Sequence, residues 1–180
     1  LRAPVSNAFG FVVQSFLDEL ALAANIDPLA FRQQLLGSAR LVGDTSNGHT
    51  GLDTGRTRAV LDAAAKAAGW GRAMAPRSGL GIAFYFSHRG YFASVAEVSV
   101  ADNGSVKVVK VWVAGDVGRQ IVNPSGANNQ IVGSALDAIN AMFNQASTVN
   151  NGRVEQHNFD DYPLMRLADA PPIEVQIVAS

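Results

Sequence analysis

The spacing of apolar residues changes from helical to strand-like at Gly81, and that change restricts the fold more than any other feature. Upstream the spacing is helical. Over residues 7–24, Phe9, Val12, Val13, Phe16, Leu17, Leu20, Ala21 and Ala24 recur at three- and four-residue intervals with Gln14, Asp18 and Glu19 between them. This predicts an amphipathic helix, a form that ordinarily turns its apolar stripe to the core. In "NIDPLAFRQQLL" Asp27 is placed as an N-cap and Pro28 at the first helical position, where a missing N–H costs nothing; that helix is expected to end near Gly37. "GSARLVGDTSNGHTGLDTG" reads as a loop with a mobile tip around Asn47 and Gly48. "RTRAVLDAAAKAAGW" then returns to helical spacing and stops at Gly69, a residue suited to a left-handed cap. Three helices are expected before the first strand.

Downstream of Gly81, "GIAFYF", "YFASVAEVSV" and "SVKVVKVWVAG" are short, rich in Val and aromatics and partly alternating, and "ADNG" between the last two predicts a hairpin turn. An antiparallel unit follows from this. A helix over residues 124–143 comes next, then a second hairpin around Asn150 to Gly152, and last a strand in "PPIEVQIVAS" entered through prolines. With no repeat, low-complexity tract or clear linker, residues 1–180 are expected to form one α+β domain, or a piece of a larger subunit.

Composition excludes several functional classes. A formal charge of −1 without any Lys/Arg block disfavours nucleic acid and anionic membranes as partners. No apolar run approaches the roughly 20 residues of a membrane span. The absence of Cys rules out disulfides, thiolate metal sites and iron–sulfur ligation within these residues. The first residue is Leu, which suggests a fragment or a processed subunit.

The most informative stretch is "GDVGRQIVNPSGANNQIVGSAL", from Gly115 to Leu136. A strand delivers the chain to Asp116 and Val117, and Gly118 permits a backbone conformation from which the turn can expose amides. Asn123 before Pro124 starts a helix, and free N–H groups at a helix N-terminus favour a phosphate or pyrophosphate. Gln130, after Asn128 and Asn129, can donate and accept at once, which suits the edge of a heterocycle. Yet Asn-Pro opens many helices that bind nothing, and a Gln in an early turn usually faces water. On spacing alone the ordinary structural reading is preferred.

A resemblance changes that balance. The order "DVG", "NP", "QIVG" resembles a stretch of the molybdenum-binding subunits of the xanthine dehydrogenase and aldehyde oxidase family, nearest to the isoquinoline 1-oxidoreductase beta-subunit type. "LRAPVSNAFGFVVQSFLDELALAANIDPLAFRQQLL", "GIAFYFSHRGYFASVAEVSV" and "NGRVEQHNFDDYPLMRLADAPPIEVQIV" are similar to the family's flanking segments in the same order. The resemblance implies a segment of the molybdopterin-binding domain with a cofactor-facing helix. It further implies a molybdopterin cytosine dinucleotide with Mo, shared with other polypeptide, and 2Fe-2S clusters on a partner subunit. The substrate would be a small aldehyde or N-heterocycle, hydroxylated with water-derived oxygen. By matching position, Asp116, Gly118, Asn123, Gln130 and Gly133 would belong to the cofactor-binding turn and helix, and Arg2 would stand near the substrate, although "LRAPVSN" departs from the commoner "FRGxGxPQ" form. The family's catalytic glutamate is expected in a "GxGE"-like motif beyond the segment matching "PPIEVQIV", so catalysis would require further polypeptide as well as an iron–sulfur partner. A bacterial protein of the cytoplasm or the periplasm is compatible with this.

Other motifs are weaker. Of the widely separated His49, His88 and His157, the last comes nearest to a metal ligand, with Asp160 and Asp161 close by, but a loop histidine beside solvated carboxylates is preferred. His88 and Arg89 fit a tight turn and could line a pocket. "GLGIAF" leads into a strand rather than from a strand into a helix, which rejects a dinucleotide-binding fingerprint. Two further readings stand beside the enzyme segment: a non-catalytic scaffold of the same fold, and an unrelated α+β nucleotide-binding protein.

Overall fold

The computed structural model describes residues 5–46 and 51–178. Helix α1 (Ser6–Ala23) and helix α2 (Pro28–Leu36) lead into two short strands, β1 (Leu41–Val42) and β2 (Leu52–Asp53), which pair antiparallel. Helix α3 (Thr54–Ala68) follows, then β3 (Ser78–Ser87), β4 (Gly90–Val100) and β5 (Val106–Asp116). The chain continues through α4 (Pro124–Phe143), a small hairpin of β6 (Val149–Asn150) and β7 (Arg153–Val154), and β8 (Ile173–Ile177). The main sheet has the order β3-β4-β5-β8. Its first three strands are antiparallel neighbours, and β8 closes the edge parallel to β5. The fold is α+β, as expected.

Local signals set the element ends. Asp27 accepts from the N–H groups of Leu29 and Ala30 at 3.0 Å each, so it caps α2 with Pro28 behind it. Gly69 ends α3 at a φ of 63°, the left-handed conformation that a Cβ resists. The "ADNG" turn joins β4 to β5 with Gly104 at φ 83°. Two expectations need correction. The pair β1–β2 forms inside the segment read as loop, so three helices precede the main sheet but not the first strand. The first long strand begins at Ser78, because the β3–β4 ladder continues past Gly81 to Ser99. Asn47 and Gly48, read as a loop tip, lie outside the described residues.

The core lies between α3 and one face of the sheet. Val60, Leu61, Ala64, Ala65 and Ala68 form the inward stripe of α3, and meet Ile82, Tyr91, Ala93, Val95, Trp112 and Ala114 from three strands. Both patterns are the ones their periods require, about 3.6 residues for the helix and 2 for the strands. Alanines on the helix side let α3 lie close enough for Trp112 and Tyr91 to fill the layer.

Helix α1 departs from expectation. Its apolar residues Phe9, Val12, Val13 and Phe16 are exposed, whereas Gln14 and Ala21 are buried. The side turned inward is the one with polar work to do. Arg32 is wholly buried and donates Nε to Gln14 Oε1 at 3.0 Å, Nη2 to the Gln14 carbonyl at 3.0 Å and Nη1 to Asp18 at 2.8 Å. Gln14 Oε1 also accepts the Phe84 N–H at 3.2 Å, tying α1 to β3. Burying a guanidinium is tolerable only when its donors are matched. A Gln14→Leu substitution should therefore destabilise the protein by about 1–3 kcal/mol despite its added apolarity. Urea unfolding of the two forms measures this, and an unchanged or raised midpoint would contradict it.

Candidate functional site

Three segments converge at the C-terminal end of β5. Asp116 is the last residue of that strand and shares the α3-facing side with Trp112 and Ala114, because strand side chains alternate. The ladder sets it opposite Tyr91 of β4. Arg56 in the first turn of α3 reaches across: Nε donates to Asp116 Oδ2 at 2.8 Å and Nη2 to Oδ1 at 2.7 Å. The Asp116 side chain is only 1% exposed. The Arg56 guanidinium also lies 4.2 Å from the centre of the Tyr91 ring. Its hydrogen bond to Asp116 holds its pKa above the usual arginine value, with the charges of Asp116, Tyr91 and Asp53 adding to that and burial opposing it.

The same cluster fixes the start of α3 and the turn after β5. Asp53 caps α3 by accepting from the N–H groups of Gly55 at 2.8 Å and Arg56 at 3.1 Å, while its own N–H donates to the Tyr91 hydroxyl at 3.0 Å. Asp116 Oδ1 accepts the Gly118 N–H at 2.9 Å. That amide was expected to be free, and it is engaged because the buried carboxylate has an oxygen directed at it. Gly118 itself is at φ 110°, a conformation that an L side chain rarely adopts. Just before it, Gly115 makes room for Phe92, since a Cβ there would come within 2.6 Å of the Phe92 ring.

Beyond the turn, Asn123 accepts the Gly126 N–H at 2.9 Å and caps α4, with Pro124 next. Pro124 has no N–H and that of Gly126 is taken, so Ser125 supplies a first-turn donor with no partner among the described residues. Asn123, Ser125, Gln130 and Gly133 are all exposed. A Cβ added at Gly133 would meet nothing within 4 Å. Arg119 in the turn is exposed and makes no ion pair among the described residues. Arg2 and His49 lie outside the described residues.

Two shallow cavities open, one against the Arg56 cluster and one away from it. One, of about 320 Å³, is lined by Asp53, Arg56, Phe86, Arg89 and Tyr91 among others. Arg89 reaches it from the β3–β4 turn, where His88 and Arg89 have φ of 49° and 66°. The other, of about 360 Å³, lies beside His157, Phe159 and Tyr162. Here Asp161 accepts from the N–H groups of His157 and Asn158, and His157 Nδ1 lies 3.3 Å from it. No group of three potential metal ligands occurs among the described residues.

Sequence reading did not assign Arg56, Tyr91 or Asp53 to the candidate site. Asp-Thr-Gly ahead of the alanine-rich helix is a cap signal that could have placed Asp53. Nothing local could pair Arg56 with Asp116, which lies 60 residues away.

A family described as "Molybdopterin cofactor-binding domain" matches residues 50–171, more than half of the chain and all of the Asp116–Gly133 turn and helix start. The chain belongs to that family. The resemblance read from the sequence is borne out. The beta subunit of isoquinoline 1-oxidoreductase from Brevundimonas diminuta is 27% identical over 93% of this chain and 20% of its own length. The membrane-bound aldehyde dehydrogenase (pyrroloquinoline-quinone) of Gluconacetobacter polyoxogenes is 30% identical over 93% of this chain and 22% of its own. The chain thus spans about a fifth of the length of these curated relatives. Among solved structures, quinoline 2-oxidoreductase from Pseudomonas putida 86 superposes on 51% of this chain and 12% of its own, with a TM-score of 0.47 and 20% identity.

The outward-facing groups of the turn and of the start of α4 would suit one wall of a site for that group. Among the described residues no buried side-chain polar atom lacks a partner, so no enclosed cradle is formed by these residues alone. What they present outward is a capped helix start, amide side chains, a cation at Arg119 and the bare backbone at Gly133, all accessible.

Two outcomes follow. An Arg56→Met substitution should cost about 3–5 kcal/mol, because it takes the bidentate guanidinium away from a buried carboxylate; it should also speed amide hydrogen exchange over residues 117–123, measured by mass spectrometry. Second, the backbone hydrogen bonds from Asn158 and His157 hold the Asp161 carboxyl below its usual pKa. A lowered folded-state pKa contributes stability above the unfolded value and loses it as pH falls through the folded one. The turn at residues 157–161 should therefore loosen at a pH below the ordinary carboxylate pKa of about 4, and Asp161→Asn should abolish that step in an NMR titration of the His157 and Asn158 amides.

Proposed function

We propose that this chain is a segment of a molybdenum hydroxylase subunit and supplies one wall of its molybdopterin site. The supporting observation is the family match across the turn and helix start whose exposed groups have the chemistry a dinucleotide needs. The Ser125 N–H, the positive end of the α4 dipole and the Arg119 guanidinium would take the anionic linkage. The Gln130 amide would meet a heterocycle edge, and Gly133 would allow close approach to the helix backbone. Asn123 caps the helix, and Asp116 with Gly118 holds the turn in register. When bound, the cofactor supplies the molybdenum centre that adds a water-derived oxygen to an electron-poor carbon. The substrate class is an aldehyde or an N-heterocycle, the dinucleotide is the cytosine form, and electrons leave through 2Fe-2S clusters on a partner subunit. The remainder of the molybdopterin-binding subunit would provide the other walls and the catalytic glutamate, with Arg2 near the substrate.

The test is the composition of the full-length protein purified from its source. Molybdenum is measured by inductively coupled plasma mass spectrometry, and the nucleotide released by acid by chromatography. Stoichiometric Mo with a cytosine nucleotide is expected. A stable protein with neither would point to a non-catalytic scaffold, and pyrroloquinoline quinone in their place, or an adenine nucleotide, would equally overturn the proposal. A Gly133→Val substitution separates binding from folding. The position is exposed and open, so stability should change by no more than about 0.5 kcal/mol, while Mo and nucleotide content should fall several-fold.

A further inference from the structure

The apolar stripe of α1 points away from everything else described. Residues advance by about 100° around a helix, which places Phe9, Val12, Val13, Phe16 and Leu20 on one side. All five are exposed, with Phe9 at 57%, Val12 at 59% and Phe16 at 56%. The helix cannot roll to hide them. On its other side Gly10 lies against Tyr85, where an added Cβ would be 3.4 Å from the ring, and Gln14 and Asp18 hold the buried Arg32. Phenylalanine does not fit where glycine is already in contact, and a roll would strip a buried cation of its acceptors. The stripe therefore faces outward by construction, along 18 residues or about 27 Å of helix.

We propose that this stripe is an interface inside the parent subunit, covered by an apolar segment of the same polypeptide lying outside residues 1–180. The curated relatives align with 93% of this chain yet extend to about five times its length, so in a parent subunit of that length a covering segment would be available in cis. A lipid surface suits the helix poorly. α1 has no Lys or Arg, and its charged residues are Asp18 and Glu19, whereas helices that lie on anionic bilayers carry basic residues along their polar face. No single described helix is long and apolar enough to cross a membrane, and α1 meets the composition only together with α2, across a bend of 107°. This inference rests on the relatives' length and the geometry of α1, and is independent of the cofactor reading.

The test uses the full-length subunit. These 180 residues contain no cysteine, so Val12→Cys, Phe16→Cys and, as an exposed reference, Asp102→Cys each add one thiol at a known place. Asp102 has a fully exposed side chain. Reaction with a charged maleimide, compared with the parent protein, should be at least tenfold slower at 12 and 16 than at 102, unchanged by dilution or mild detergent and restored by urea. Hydroxyl-radical footprinting of Phe9 and Phe16 in the unsubstituted subunit gives the same readout without a variant, and low oxidation is expected. Reaction as fast as at 102 overturns the proposal in favour of a solvent face. Protection lost on dilution overturns it in favour of a second copy, and protection lost in detergent in favour of lipid.

Discussion

The paired charges of Arg56 and Asp116 organise the end of the molecule where the proposed site lies. A carboxylate with 1% exposure is costly unless its oxygens are fully used. Here two guanidinium donors and the Gly118 amide use them. Because Arg56 belongs to the capped first turn of α3 and stacks on Tyr91, the carboxylate ties a helix start, the middle of the sheet and the β5–α4 turn into one unit. The direction in which the chain leaves β5, and with it the placing of α4, depends on that pair. Net stabilisation by such a pair is small, since desolvation offsets most of the attraction. Its value lies in geometry: a planar fork against a carboxylate admits few arrangements.

A second buried cation plays the corresponding part at the other end. Arg32 draws Gln14 and Asp18 of α1 inward, and the aliphatic and aromatic residues of the same helix are left outside. Burying one large apolar side chain is worth about 1.5–3 kcal/mol, while removing a partner from a buried charge costs about 3–5 kcal/mol. The contest at α1 is settled by room as well as energy, since glycine and glutamine sit where the helix touches β3 and Arg32. The usual inference that the apolar side of a helix is the buried side holds for a chain with a complete set of packing partners. This chain spans only about a fifth of its curated relatives.

Much of the fold was legible residue by residue. The caps at Asp27 and Asn123, the stop at Gly69, the "ADNG" turn and the second hairpin are local events, decided by side chains within three or four positions of the groups they satisfy. The candidate site was legible in part for the same reason. Asn123 and Gly118 stand where their neighbours place them, at a helix start and at a positive φ. What spacing could not convey is that the Gly118 amide is already taken, because its acceptor carboxylate is turned by a helix 60 residues upstream.

The sequence by itself determined the kinds of elements, their ends, their order and the α+β class, because periodicity, capping and turn chemistry act over short stretches of chain. Tertiary structure alone decided that β8 joins the sheet parallel to β5, that Arg56 rather than solvent neutralises Asp116, and that α1 shows its apolar side outward. Each of these turns on contacts between residues far apart in the chain, where strand register and the space left between packed elements select the partner, and neither quantity is written in any short run of residues.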